Sequence, residues 1–98
     1  RVVLPGDWRP VSSVDLLGEV VTLKQDGAAI AQGVGEAAMG HPANAVVWLA
    51  DKLALRGKSL RVGQIVMTGT LTPILPIVRG STYEATYATL GKVVHTFR

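Results

Sequence analysis

One segment of this sequence carries a complete set of helix signals, and it limits what the rest of the chain can form. Pro42 suits the first helical position, where its missing N–H is not needed, and Gly57 suits the residue after the last turn, where a left-handed conformation is favourable. Four apolar residues between them recur at the spacing of one helix face: Val46, Leu49, Ala50 and Leu53. The sequence therefore predicts one helix over residues 42–56. We expect its apolar face to pack on strands, the only other elements indicated.

Two β-hairpins are predicted, one on each side of this helix. Asp26-Gly27 is a typical two-residue hairpin turn, and the sequence alternates between apolar and polar residues on both sides of Leu90-Gly91. The predicted strands are residues 17–24, 28–34, 81–88 and 92–97.

The segment between the helix and the second hairpin is less regular. Ile65-Val66-Met67-Thr68 is a short apolar run that predicts a buried strand. Pro73 and Pro76 exclude a central strand after it, although residues 74–78 could form an edge or extended segment. The predicted fold class is α+β, mainly β, with a mostly antiparallel sheet and one covering helix.

The domain organisation is simple. Residues 1–14 have no periodic pattern and are interpreted as an irregular N-terminal arm that Trp8 anchors. Residues 15–98 are interpreted as one domain.

The absence of cysteine excludes disulfides and favours a reducing, cytoplasmic setting.

The hydrophobic content, 48% of 98 residues, is high for a small chain, yet no apolar run reaches the ~18 residues that span a bilayer. We therefore expect no membrane partner and a homo-oligomer, most simply a dimer, that covers apolar surface. The expected contributors to that interface are Val20, Val66 and the segment 71–78.

The net charge of +3 raises the question of nucleic acid. The basic residues concentrate at one place only, which comprises Lys52, Arg56, Lys58 and Arg61. Cations there complement the negative end of the helix dipole, and no aromatic residues interleave with them for base stacking. We therefore interpret these basic residues as a complement to the helix dipole, and we expect no nucleic-acid partner.

No complete active site is visible in the residues themselves. The segment 33–38 fits the G-x-G-x-x-G/A pattern of dinucleotide-binding loops, but Gly40-His41-Pro42 would interrupt the helix that this motif requires. The two histidines and seven carboxylates show no ligand-like spacing, so no catalytic or metal-binding residue is assigned. His41 either caps the helix or faces a ligand from its start.

Gly69-Thr70 is the stronger candidate for binding. A glycine and a hydroxyl directly after a strand let a ligand approach the main chain and then bond to it, although the same residues also suit an ordinary strand end. If Thr70 binds a ligand, we expect a concavity that it shares with the start of the helix.

Several spaced motifs resemble one enzyme family. They are Gly40-His41-Pro42, Trp48-Leu49-Ala50, the run GQIVMTGT at 63–70, and Leu90-Gly91. Over nearly all of residues 15–97 the chain is similar to the C-terminal part of the 2-keto-4-pentenoate hydratase and 4-oxalocrotonate decarboxylase group, in the fumarylacetoacetate hydrolase superfamily.

The resemblance implies a mixed β-sandwich or roll and enzymes that use Mg²⁺ or Mn²⁺ to polarise a 2-keto acid from aromatic meta-cleavage. In such relatives a Glu-x-Glu pair, a third carboxylate and a catalytic lysine lie upstream of the similar segment, and no Glu-x-Glu occurs here. The implied site in this chain is therefore substrate-binding only: Gly69, Thr70 and, as an addition, His41. No cofactor is expected in the chain by itself.

The sequence also departs from the family pattern at Glu36, at Asp51 and at Arg79-Gly80-Ser81. Two hypotheses follow. The first is a C-terminal portion or truncated relative of a 2-keto acid hydratase or decarboxylase that is inactive alone. The second is a self-associating structural module without catalysis.

Overall fold

A computed structural model describes residues 2–6 and 8–98. It contains a four-stranded antiparallel sheet and one α-helix, which confirms the predicted α+β class. The elements are β1 (Val20–Gln25), β2 (Ala28–Val34), α1 (Pro42–Ala54), β3 (Thr82–Tyr87) and β4 (Gly91–Thr96). The strand order across the sheet is β2-β1-β3-β4, and short 3₁₀ turns occupy Val11–Ser13 and Gly35–Ala37.

The first hairpin forms as predicted because its turn residues accept left-handed conformations. Asp26 and Gly27 have φ angles of 49° and 87°, the combination that a type I′ turn requires. The Asp26 carboxylate also accepts a hydrogen bond of 2.8 Å from the Thr82 N–H, which ties this turn to the start of β3.

The two hairpins join through antiparallel pairing of β1 with β3, in which Val21 lies opposite Tyr87 and Leu23 opposite Ala85. Since side chains alternate between faces along a strand, these four residues share one face of the sheet. Val21, which is 5% exposed, is the most buried apolar residue described. The other face carries polar residues, among them Thr22, Lys24, Gln32, Glu84 and Lys92.

Helix α1 has the caps that the sequence predicts. Pro42 occupies its first turn, and Gly57 has a φ of 69°. The N–H groups of Gly57 and Lys58 donate to the carbonyls of Ala54 and Leu53, a pattern that closes a helix at a left-handed glycine.

The packing of α1 differs from the expectation. Its predicted apolar face is only half-buried, and among the described elements its main neighbour is the turn Gly35–Ala37, with little contact to the strands. Val46 and Ala50 instead line an apolar groove of about 410 Å³ with Leu16. The helix thus lies beside the sheet more than over it.

The predicted strand at residues 65–68 is wrong. These residues have no ladder partners, and two of the four, Ile65 and Met67, are exposed. The physical reason lies in the two flanking glycines: Gly63 and Gly69 have φ angles of 88° and 100°, which bend the chain at each end of the run and interrupt an extended course along the sheet. Residues 74–78 likewise form no strand.

The N-terminal arm touches the sheet at the β3–β4 turn. Trp8 lines a cavity of about 340 Å³ with Tyr87 and Leu90, yet it remains 68% exposed. In the part of the chain that the structure describes, no helix is long and apolar enough to cross a membrane.

Candidate functional site

The segment from Gly69 to Thr72 lies on the apolar face of the sheet. A Cβ on Gly33 would come within 2.1 Å of the Leu71 carbonyl oxygen, so only glycine permits this close approach of the two main chains. Gly33 in β2 therefore sets where the segment crosses the sheet.

A cavity of about 210 Å³ forms between this segment and the sheet. It is lined by Gly69, Thr70, Leu71 and Thr72 on one side and by Val21, Leu23, Ala85 and Tyr87 on the other. The sequence predicts that a ligand-binding Thr70 shares a concavity with the start of the helix. The structure places the sheet face there instead, because the Gly33 contact draws the segment onto the strands.

The Thr70 side chain is positioned by its own loop. Its hydroxyl donates to the Thr72 carbonyl at 2.8 Å and accepts from the Thr72 N–H at 3.2 Å. Thr70 is nevertheless exposed. Gly69, with a φ of 100°, has nothing within 4 Å of the position of a Cβ, so its side of the loop is open. The arrangement presents a fixed hydroxyl and an accessible main chain at an apolar wall, which suits a small ligand with one polar end.

His41 occupies a different position. Its Nδ1 accepts a hydrogen bond of 3.0 Å from the Ala43 N–H, so the side chain caps the N-terminus of α1. His41 is not among the residues that line the cavity at Thr70. The geometry shows the capping role that the sequence left open, and a substrate contact by His41 stays a prediction.

Several carboxylates take part in contacts within the chain. Both oxygens of Glu19, a residue only 5% exposed, bond to Thr89, one to its N–H at 2.9 Å and one to its hydroxyl. Glu84 lies 3.6 Å from the Lys92 ammonium, and Asp15 accepts from the Gly18 N–H at 3.2 Å.

A divalent metal needs several converging oxygen ligands. Within residues 2–6 and 8–98, no group of three or more histidines and carboxylates is placed to hold one. The donor set described here therefore does not fit the Mg²⁺ or Mn²⁺ site that the family resemblance implies.

Sequence reasoning did not identify Gly33, Glu19 or Tyr87 as residues that shape this region. The position of Gly33 within a predicted strand was a usable signal, since an internal strand glycine often marks a close approach of another main chain. Glu19 and Tyr87 gave no such signal, because their roles depend on the pairing of β1 with β3 across more than sixty residues of sequence.

Comparison with known proteins finds hydratases and decarboxylases among the relatives of this chain. No family model matches the chain. It is 42% identical over 91 residues to a 2-keto-4-pentenoate hydratase of Burkholderia vietnamiensis, a match that covers 91% of this chain and 35% of the relative. It is 33% identical over 97 residues to a 4-oxalocrotonate decarboxylase of Pseudomonas sp. strain CF600, covering 99% of this chain and 37% of the relative.

A solved structure is similar over the same extent. The 4-oxalocrotonate decarboxylase of Pseudomonas putida G7, complexed with magnesium and adipate, superposes with a TM-score of 0.86 at 34% identity, covering 90% of this chain and 34% of that one. The same enzyme has also been solved with calcium and acetate. The chain spans about a third of the length of the relatives it matches.

Proposed function

Because this chain belongs to the group of 2-keto-4-pentenoate hydratases and 4-oxalocrotonate decarboxylases and corresponds to their C-terminal part, we propose that it forms the substrate-binding wall of a 2-keto acid lyase of aromatic catabolism. The observation that carries this proposal is the cavity between Gly69–Thr72 and the apolar sheet face. The relatives are enzymes whose printed names describe hydration and decarboxylation.

The cavity suits the two ends of such a substrate. A carboxylate or keto oxygen of the substrate would accept from the open main chain at Gly69 and from the Thr70 hydroxyl, which would turn its proton from the Thr72 carbonyl to the ligand. Val21, Leu23 and Tyr87 would contact the hydrocarbon part and keep water from it. His41 is a further candidate contact, through the start of α1. Since the described carboxylates do not converge, the metal ligands that such a lyase uses would come from residues other than these.

Cytoplasmic location is part of the same proposal, since the chain has no cysteine and its relatives are a hydratase and a decarboxylase of small acids. A chain with this wall alone would have no hydratase or decarboxylase activity.

A graft tests the proposal. Residues 9–98 of this chain would replace the corresponding third of the P. putida decarboxylase, for which the TM-score of 0.86 supports a compatible backbone. We expect Mg²⁺-dependent turnover of a 2-keto acid that falls about tenfold to a hundredfold with Thr70→Val, the effect of losing one hydrogen bond to a charged group.

Thr68→Val is the matched control, because Thr68 lies two residues away and lines the groove at α1 rather than the cavity. A folded graft that turns over substrate equally well with and without the Thr70 hydroxyl would contradict the assignment of Thr70. A folded graft without any activity would contradict the proposed function as a whole.

A self-associating module without catalysis is the second candidate, and one observation favours it. Large apolar side chains of the segment 71–78 are exposed to solvent. Ile74 is 91% exposed, Ile77 is 59% exposed and Val78 is 50% exposed. An inactive graft, together with a stable oligomer of the chain itself, would favour this function over the first.

A further inference from the structure

Two cavities lie side by side on the apolar face of the sheet. The first is the cavity of about 210 Å³ at Thr70, here called the Thr70 cavity. The second, of about 340 Å³, lies between the sheet and the N-terminal arm and is called the arm cavity. Among residues 2–6 and 8–98, Tyr87 in β3 is the one residue that lines both. Its side chain therefore stands at the boundary between the two spaces.

The pairing of the strands explains this position. Val21 in β1 lies opposite Tyr87, and Tyr87 lies opposite Gly91 in β4. Val21 lines the Thr70 cavity, whereas Gly91 lines the arm cavity. This row of residues across the sheet thus passes from one cavity to the other through Tyr87.

The residues next to Tyr87 contribute little bulk to the boundary. Gly91 has no side chain, and nothing lies within 4 Å of the position that a Cβ would take there. Ala85, two residues before Tyr87 and on the same face of the sheet, carries only a methyl group. The tyrosine ring, together with Val93 opposite Ala85, therefore supplies most of the bulk between the cavities.

A second tyrosine of β3 has a purely structural environment. The Tyr83 hydroxyl accepts from the Val78 N–H at 2.9 Å and lies 3.4 Å from the Pro76 carbonyl, to which it donates. Its ring packs edge-on against Phe97, with the ring centroids 5.5 Å apart. Tyr83 lines neither of the two cavities. It is therefore a matched control for Tyr87 on the same strand.

We propose that Tyr87 determines the tail length of the 2-keto acid that the site accepts, because its ring closes the Thr70 cavity against the arm cavity. This inference rests on the proposed function, in which Thr70 holds the polar end of the substrate and the sheet face contacts the hydrocarbon part. A tail that outgrows the Thr70 cavity toward β4 has to displace the ring, since the further space lies on the other side of Tyr87. The site therefore takes 2-keto acids with short hydrocarbon tails.

Removal of the ring tests the proposal. A graft of the whole chain, including the arm, replaces the corresponding third of the P. putida decarboxylase. The short 2-oxopentanoate and the longer 2-oxooctanoate are then measured as competitive inhibitors of its turnover. With Tyr87 in place, we expect the longer acid to bind no more tightly than the shorter one.

The Tyr87→Leu graft should bind the longer acid better. We expect the inhibition constant of 2-oxooctanoate to fall at least about tenfold, since each additional buried methylene contributes roughly fourfold in affinity. The inhibition constant of 2-oxopentanoate should stay within about threefold, because its tail does not reach the opened space.

Two further variants separate the ring from general loosening of the sheet. Tyr87→Phe keeps the ring, so this graft should keep the preference of the unmodified one. Tyr83→Leu removes the same side-chain volume from the same strand but opens neither cavity, so the ratio of the two inhibition constants should not change. A gain for the longer acid as large with Tyr83→Leu as with Tyr87→Leu would overturn the proposal.

A measurement on the unmodified chain covers the case in which Tyr87→Leu does not fold. In an NMR titration with 2-oxooctanoate, the amides of Leu71 and Thr72 should shift, whereas the indole N–H of Trp8 in the arm cavity should not. Shifts at Trp8 as large as those at Leu71 would show that the tail passes Tyr87, and they would overturn the proposal.

The outcomes distinguish this inference from the function on which it rests. An active graft whose ratio of inhibition constants is unchanged by Tyr87→Leu would overturn the role of Tyr87 alone. The same holds for an active unmodified graft that binds the longer acid at least about tenfold more tightly than the shorter one. A folded graft without any activity would overturn the proposed function, and this inference with it.

Discussion

At the residue scale, single positions decide where the candidate site lies. Gly69 and Thr70 were selected from the sequence because a glycine and a hydroxyl follow an apolar run that was taken for a buried strand. That run forms no strand, yet both residues line the cavity at the sheet face. The wall opposite them could not be selected, since it depends on the contact between Gly33 and Leu71, which are distant in sequence. His41 illustrates the same limit: its neighbour Pro42 predicts a cap, whereas a ligand contact would need long-range information.

Gly33→Ala should push the 69–72 segment off the sheet. An added Cβ would lie 2.1 Å from the Leu71 carbonyl oxygen, so we expect a loss of about 1–3 kcal/mol in the free energy of unfolding, as for other overpacked sites. Urea denaturation measures this loss, and amide chemical shifts at Leu71 report the displacement. Gly6→Ala is the control, because nothing lies within 4 Å of that position. A variant at Gly33 as stable as the Gly6 control would show that the close approach is not real.

Glu19→Ala should also destabilise the fold. It removes a buried carboxylate that accepts from both the N–H and the hydroxyl of Thr89, and we expect a loss of about 1–3 kcal/mol in the free energy of unfolding. Glu84→Ala, which breaks a partly exposed ion pair with Lys92, should cost less than about 1 kcal/mol. Chemical denaturation of Glu19→Ala, Thr89→Ala, Glu19→Ala/Thr89→Ala and Glu84→Ala is the measurement. Additive effects in the double variant would contradict the direct coupling of Glu19 to Thr89.

At the element scale, the sequence was sufficient to predict those helices and turns whose structure is determined by neighbouring residues. The hairpin at Asp26-Gly27 and the helix between Pro42 and Gly57 depend on turn and cap residues that lie next to the elements themselves. The run at 65–68 was assigned wrongly because four apolar residues fit an extended loop as well as a strand, and only the ladder partners distinguish them. The place of α1 beside the sheet could not be predicted either, since periodicity identifies the buried face but not the element that covers it.

His41→Ala should weaken α1. The substitution removes the side-chain acceptor of the Ala43 N–H, and loss of an N-cap typically costs about 1 kcal/mol. We expect a lower Tm and reduced helical signal in circular dichroism. His41→Asp should restore both, because aspartate is a good N-cap and its charge is favourable at a helix N-terminus. Equal stability of the alanine and aspartate variants would argue against the cap.

At the scale of the whole molecule, the chain has a well-specified sheet but little enclosed core. Among residues 2–6 and 8–98, the buried apolar side chains are Val21 and Ala38. The radius of gyration of 14.9 Å exceeds the ~13 Å expected for a compact domain of this length. The high hydrophobic content predicted apolar surface beyond what a small core covers, and what covers that surface stays a prediction.

The central claim of this account is that the chain supplies the substrate wall of a 2-keto acid lyase site without the ligands of its metal. Titration calorimetry of the chain with Mg²⁺ tests this claim most directly, since the described carboxylates do not converge and hard cations require several converging oxygens. The account predicts no saturable binding at millimolar Mg²⁺. One-to-one saturable binding with a micromolar Kd would contradict it, because the metal ligands would then lie within this chain.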